Sequence, residues 1–217
     1  MAELRIRIVH VDQEIVVLDK PAGLLAVPGR GPEGRVCAVS QARELFVDLP
    51  VQPAVHRLDM DTSGLMVLAR TREAHVHLSS QFAAHTVEKR YEAILDGRVA
   101  GQEGVIEMPF RLDPYDRPRQ VYDPIHGKLG STRWQKLAEQ NGQTRVAFFP
   151  RTGRTHQLRV HAAHPLGLNC PIVGDRLYGR RTAGQRMLLH ATRIRFIHPA
   201  TGQEVSLSSP VPFTWDG

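Results

Sequence analysis

His56-Arg57-Leu58-Asp59-Met60-Asp61-Thr62-Ser63-Gly64 is the stretch of this sequence best equipped for chemistry. It lies between an extended apolar lead-in at 51–55 and an apolar run at 65–68. Arg57 stands two residues before Asp59, and a Thr-Ser-Gly turn follows, which sets a carboxylate beside a cation at the mouth of a strand. Such pairing keeps a carboxylate ionised, and a dry pocket leaves the anion less solvated and more reactive. Asp, Thr, Ser and Gly are also ordinary turn residues, so in a structural role Asp59 or Asp61 would simply bond to backbone amides. Spacing alone leaves both readings open.

A second stretch adds cations. Phe149-Pro150-Arg151-Thr152-Gly153-Arg154-Thr155-His156-Gln157-Leu158-Arg159-Val160-His161 crowds Arg151, Arg154, Arg159, His156 and His161 around a Thr-Gly turn that opens a helix. Cations at the start of a helix oppose its dipole, so they have anions to meet. The anion here is phosphate or Asp59.

Together these stretches resemble the RluA family of pseudouridine synthases. His56-Arg57-Leu58-Asp59 with Thr62-Ser63-Gly64 is similar to the family's catalytic signature, and Thr152-Gly153-Arg154 with His156-Gln157-Leu158-Arg159-Val160-His161 to its third motif. Asp19-Lys20-Pro21-Ala22-Gly23 resembles the N-terminal Lys-Pro-x-Gly block, and Lys89-Arg90-Tyr91 the block that carries an active-site tyrosine. Lys128-Leu129-Gly130-Ser131-Thr132 departs from the family's Lys-x-Ala-x-Thr by a Gly in the Ala place. Order and spacing agree over about 9–191, most of the chain.

The resemblance implies an RNA uridine isomerase with a mixed α/β (α+β) fold, a largely antiparallel central sheet flanked by helices and loops. It implies no cofactor and no metal. Asp59 would be the catalytic carboxylate, Arg154 its partner cation, and Tyr91 the ring set against the target base. Arg57 would enter the RNA helix in place of a flipped-out nucleotide. His56, Lys20, Arg30, Arg151, His156 and Arg159 are expected to contact RNA, Arg30 from a Pro/Gly loop at 20–31. Leu158 and Ile172, from their apolar character, are candidates for the wall of the base pocket. Leu24-Leu25-Ala26-Val27-Pro28-Gly29-Arg30 points within the family to the branch that modifies an anticodon-loop uridine of tRNA and a uridine of large-subunit 23S rRNA.

Composition sets the bounds. The chain has 217 residues, 41% of them hydrophobic, enough for one catalytic domain over 1–217. A formal net charge of +6 suits an acidic polymer such as RNA. Two cysteines, Cys37 and Cys170, cannot build a disulfide framework and fit a reducing cytoplasm. No apolar run reaches membrane-spanning length, and the N-terminus lacks a signal-peptide pattern. Strands are expected almost from the first residue, leaving no room for a separate N-terminal RNA-binding domain. A cytoplasmic monomer acting on tRNA or large-subunit rRNA is the expectation; a non-catalytic RNA-binding or ribosome-assembly protein is the alternative. His161 and His164, three apart on a helix, make a conceivable zinc pair, but no nearby acid completes it.

The elements that must position these residues are legible from periodicity. Residues 6–11 and 15–18 read as a hairpin about Asp12-Gln13-Glu14, 36–49 as a helix, and 65–69 as a buried strand. Thr71 reads as the N-cap of a helix to about 84, and 88–95 as a strand holding Tyr91. A basic, Pro-rich region at 112–130 follows, either a solvated loop or a flap that grips RNA. Asn141-Gly142 marks a hairpin between 131–137 and 144–149. A helix at about 155–163 and a last hairpin, 188–197 with 204–207, complete the reading.

Overall fold

The computed structural model describes residues 5–29, 31–180 and 185–215. In chain order the first elements are β1 (Arg7–Val11), β2 (Ile15–Lys20), α1 (Ala38–Leu45), β3 (Ser63–Ala69) and α2 (Arg72–Ala83). Then come β4 (Glu88–Leu95), β5 (Glu103–Leu112), β6 (Gln120–Tyr122), β7 (Lys128–Gln140) and β8 (Gln143–Pro150). The chain finishes with α3 (Gln157–Ala163), β9 (Leu189–Ile197) and β10 (Glu204–Ser208). The fold is mixed α/β with antiparallel pairing throughout the strand ladders described below. No helix among the described residues is long and apolar enough to cross a membrane.

Two compact units are present, Met1–Lys89 with Ala191–Pro210, and Arg90–His190 with Val211–Gly217. In the first, the strand order is β1-β2-β3-β9, with β10 against β9. β2 and β3 are its centre, and apart from Asp19 every residue in both is buried, as expected where both faces of a strand are covered. On one side Val16, Leu18, Met66 and Leu68 pack under α1; on the other Ile15, Val17, Leu65 and Val67 pack with Ala74 and Leu78 of α2. Each such side chain contributes about 1.5–3 kcal/mol by leaving water.

Both helices begin at side-chain caps. Thr71 Oγ1 accepts the Ala74 N–H at 3.1 Å, as its position in the sequence suggests. At α1 the cap is Cys37, whose thiol accepts the Ser40 N–H while Ser40 Oγ accepts the Cys37 N–H at 2.9 Å. α1 is shorter than the 36–49 periodicity predicts. Val36 lies before the cap, Phe46 turns extended, and both Val36 and Val47 are exposed.

The second unit has the order β4-β8-β7-β5-β6. Its core joins Leu95, Met108, Phe110, Trp134, Val146 and Phe148 to Leu158, Val160 and Ala162 of the α3 helix. Asn141 and Gly142 both adopt positive φ, 52° and 77°, the two left-handed residues a tight hairpin between β7 and β8 needs. β5 is the strand that periodicity misses: Pro109 demotes it, since a proline gives the ladder no N–H. The 112–130 region is correspondingly more regular than expected, with β6 inside it and β7 beginning at Lys128. α3 starts two residues later than expected because His156 takes a left-handed backbone, φ 57°.

Gly130 is required here. A Cβ at this position would sit 2.6 Å from Phe110 Cε1 and 3.0 Å from His161 Nε2, in a packed part of the second unit. Phe110 and His161, edge-on with ring centroids 5.7 Å apart, occupy the space that an alanine would need. Gly130→Ala should therefore lower stability by about 1–3 kcal/mol through overpacking, read as a lower urea midpoint at unchanged slope. An unchanged midpoint would contradict this packing.

Candidate active site

The Asp59 segment of the first unit is held from beneath by Lys20. This lysine, at the end of β2, is 0% exposed. Its ammonium donates to three carbonyls, Leu24 at 2.7 Å, Pro21 at 2.9 Å and Met60 at 3.0 Å. Three donors meet three acceptors, the full capacity of an ammonium. Met60 O, between the two aspartates, also accepts the Gly23 N–H at 2.8 Å. The Lys-Pro-x-Gly loop and the Asp59 loop are thereby fastened at a single peptide. Burial draws the Lys20 pKa down to about 7, while the negative charges of Asp59, Asp61 and Asp19 pull against it.

Asp59 is half-buried and Asp61 buried. Both lie within electrostatic reach of Lys20. Residues 59–62 form a turn, in which the Thr62 N–H donates to Asp59 O at 3.1 Å. Past the turn, Gly64 has φ 115° and a Cβ there would lie 2.4 Å from Ala191 O, so β3 passes β9 too closely for any side chain. The Thr-Ser-Gly run therefore ends in a glycine for steric reasons.

Arg57 is exposed, beside a buried Leu58. His56 is not available as a cation. Its Nε2 accepts the Val67 N–H at 3.0 Å, which makes the ring neutral with its proton on Nδ1, and the ring stacks on Phe82 with centroids 4.6 Å apart. Burial, with the charge of Lys89, pushes its pKa down to about 3. The expected RNA contact by His56 is thus replaced by a structural one, and Lys20 is likewise corrected because its ammonium is spent on carbonyls. Arg30 lies outside the described residues.

In the second unit Arg154 sits on the turn before α3, exposed, with its N–H donating to Gln157 Oε1 at 3.0 Å and its Nε to Leu129 O at 3.4 Å. The buried Gln157 is the clamp of that turn. Its Oε1 also accepts from Thr152 Oγ1 at 2.7 Å, and its Nε2 donates to Ser131 O at 3.0 Å and Thr132 Oγ1 at 2.9 Å. Arg151 is exposed, its N–H bonded to Ser131 O at 3.0 Å. Arg154, Arg111, Lys128 and Phe110 are among the residues lining a cleft of about 370 Å³. Tyr91 is half-buried on β4, opposite Phe148 of β8, against the core of this unit.

Four other expected contacts in this unit are structural. Arg159, 3% exposed, makes a two-pronged pair with Asp175, both N···O distances 2.7 Å. Burial raises the Asp175 carboxyl's pKa, but the Arg159 guanidinium and the Leu177 and Tyr178 amides outweigh it and hold the carboxyl below the ordinary range. Removing one partner of such a pair costs about 3–5 kcal/mol. His156 is buried with Nδ1 2.9 Å from the Tyr178 hydroxyl, which accepts the Gln120 N–H at 2.7 Å. Burial raises that phenol's pKa to about 12. Leu158 belongs to the core, and Ile172, 1% exposed, has no free surface for a base. Asp175 and Tyr178 were missed in the sequence; a Gly174-Asp175 and Tyr178-Gly179 turn was the only signal.

Residues 14–164 match the model of the RNA pseudouridylate synthase family. The chain belongs to that family. It is therefore an RNA pseudouridine synthase, an isomerase. It is 39% identical over 210 residues to a dual-specificity RNA pseudouridine synthase RluA of Pasteurella multocida (strain Pm70), covering 95% of this chain and 93% of that one. Against the protein of the same name from Escherichia coli (strain K12) the figures are 38% over 210 residues, 95% and 93%. Among solved structures, human RNA pseudouridylate synthase domain containing 1 superposes with a TM-score of 0.77 at 27% identity, covering 97% of this chain and 85% of that one.

Lys20→Met should leave the Leu24 and Pro21 carbonyls without their donor, at about 1–3 kcal/mol for each that stays buried. A lower thermal midpoint, with RNA affinity of the folded protein unchanged in fluorescence anisotropy, is the expected result. Lost affinity at an unchanged midpoint would make Lys20 an RNA contact after all.

Proposed function

We propose that this synthase converts an anticodon-loop uridine of tRNA, and a uridine of 23S rRNA, to pseudouridine. It acts as a monomeric cytoplasmic enzyme, with 1–217 as one catalytic domain and no cofactor. The observation that carries the substrate reading is likeness along nearly the whole chain: relatives 38–39% identical over 95% of it bear the name of a dual-specificity synthase.

The reaction breaks the bond between uracil N1 and ribose C1′, turns the base, and rejoins C1′ to C5, whose proton leaves for N1. Nothing is added or lost. The protein has to supply a nucleophile or base, a closed site that keeps the free uracil from escaping, and an orientation for the turned ring. Asp59 is the group for the first task. Attack at C1′, attack at C6 and removal of a ribose proton all start from its carboxylate, and the Lys20 anchor fixes the peptide next to it.

Arg154 belongs to the catalytic set by the likeness of its motif to the family's third, with Gln157 holding its backbone. Tyr91 supplies a ring to stack on uracil and a hydroxyl within reach of a transferred proton. Arg57, exposed, fills the gap left in the RNA when the uridine flips out, which offsets part of the lost stacking. Arg151 meets phosphate.

The test is to incubate the purified protein with bulk tRNA and rRNA from cells lacking their own synthases, then map pseudouridine at nucleotide resolution. New marks in an anticodon loop and in 23S rRNA are expected. Marks in rRNA alone would remove the tRNA half of the proposal, and no mark in either RNA would contradict it entirely.

A further inference from the structure

Lys89 is a half-buried cation that the first unit leaves without a partner. It opens the Lys89-Arg90-Tyr91 block on β4, and no carboxylate or carbonyl among the described residues accepts from its ammonium. The charged residues on either side of it are engaged elsewhere, Glu88 with Arg195 and Arg90 with Glu92 at 2.5 Å. Burial draws the Lys89 pKa down, and no negative charge among the described residues stands near enough to raise it again. Lys20 differs on both counts, with three carbonyls to bond and three aspartates in its field.

Its surroundings place it beside the catalytic signature. Val87, two residues before it, belongs to the apolar cluster that Val55 and Phe82 pack against. His56 follows Val55 and lays its ring on Phe82, centroids 4.6 Å apart. The Lys89 charge reaches that ring, where after burial it is the second cause of the low imidazole pKa of about 3. Such an influence weakens with distance, so the ammonium lies near the residue that opens His56-Arg57-Leu58-Asp59.

A cation half withdrawn from water and left unpaired destabilises the free protein. Groups held in this way gather at functional sites, where a ligand supplies the missing charge. For a synthase acting on RNA the uracil is neutral, and the anion at hand is the phosphate, one to each nucleotide. Half-burial leaves the ammonium within reach of such a ligand.

We infer that Lys89 binds a backbone phosphate flanking the reacting uridine and so holds the flipped nucleotide at the Asp59 loop. Its role is to bind and to position, and the chemistry stays with Asp59. The inference rests on the reading of this chain as an RNA pseudouridine synthase.

Fluorescence anisotropy tests it on the full chain, with a labelled stem-loop cut around the uridine that pseudouridine mapping identifies. Lys89→Met keeps the apolar stem and removes the charge, and circular dichroism checks that it folds. It should raise Kd about tenfold or more and reduce the slope of log Kd against log salt by about 0.7–1, the mark of one lost phosphate contact. Lys89→Arg should keep the wild-type slope. An uncharged methylphosphonate at one of the two phosphates flanking the uridine should weaken wild-type binding by the same factor, and Lys89→Met should then add nothing. If Lys89→Met folds with wild-type Kd and slope, the lysine only covers apolar surface and the contact is overturned. An effect of Lys89→Met that persists in full with each flanking phosphate neutralised in turn overturns it equally. A wild type that neither binds nor isomerises any RNA overturns the underlying function, and this contact with it.

Discussion

One buried ammonium holds the Asp59 loop in place. Lys20 is enclosed on all sides and gives each of its three protons to a backbone carbonyl, one of them at the peptide between Asp59 and Asp61. Burying a charge in this way is costly unless every donor is met, and here every donor is met. The cost has a use: the loop cannot move without stranding the charge. Three carboxylates, Asp59, Asp61 and Asp19, also stand within its field, and their charges oppose the fall in pKa that burial brings.

The second unit solves the same problem with different groups. Gln157, neutral and buried, gathers Thr152, the Arg154 amide and the start of β7 into one knot. Arg159 and Asp175 do the same one turn further along α3 and its following loop. Lys20, Gln157, Arg159 and Asp175 are buried and hydrogen-bonded, whereas Arg57, Arg151 and Arg154 stand exposed. In the first motif His56 and Leu58 hold beside an exposed Arg57; in the second, the buried run 156–161 holds, while Arg151 and Arg154 before it are exposed.

This division between anchoring and exposed residues explains what could and could not be read from residue types. The hairpins, the Thr71 cap and the buried strand at 65–69 follow from period and turn chemistry, and they stand as expected. Motif spacing also located the loops that carry Asp59 and Arg154. Within the motifs, residue type misled: a lysine, an arginine and two histidines look like phosphate contacts, yet Lys20, Arg159, His56 and His156 are spent inside the fold. Only burial and partners tell an anchoring cation from a working one, and both depend on residues distant in sequence, Met60 for Lys20 and Asp175 for Arg159. β5 escaped notice because Pro109 breaks the local pattern while its neighbours on both sides complete the ladders.

The central claim is that Asp59 performs the chemistry while the rest of its loop holds it in position. Single-turnover pseudouridine formation by Asp59→Asn, at RNA concentrations that saturate binding, tests this most directly. The amide is nearly the same size and leaves the Lys20 anchor untouched, so RNA binding should persist while the rate falls by about 10³-fold or more. A variant that binds RNA and forms pseudouridine within a few-fold of the wild-type rate would contradict the account.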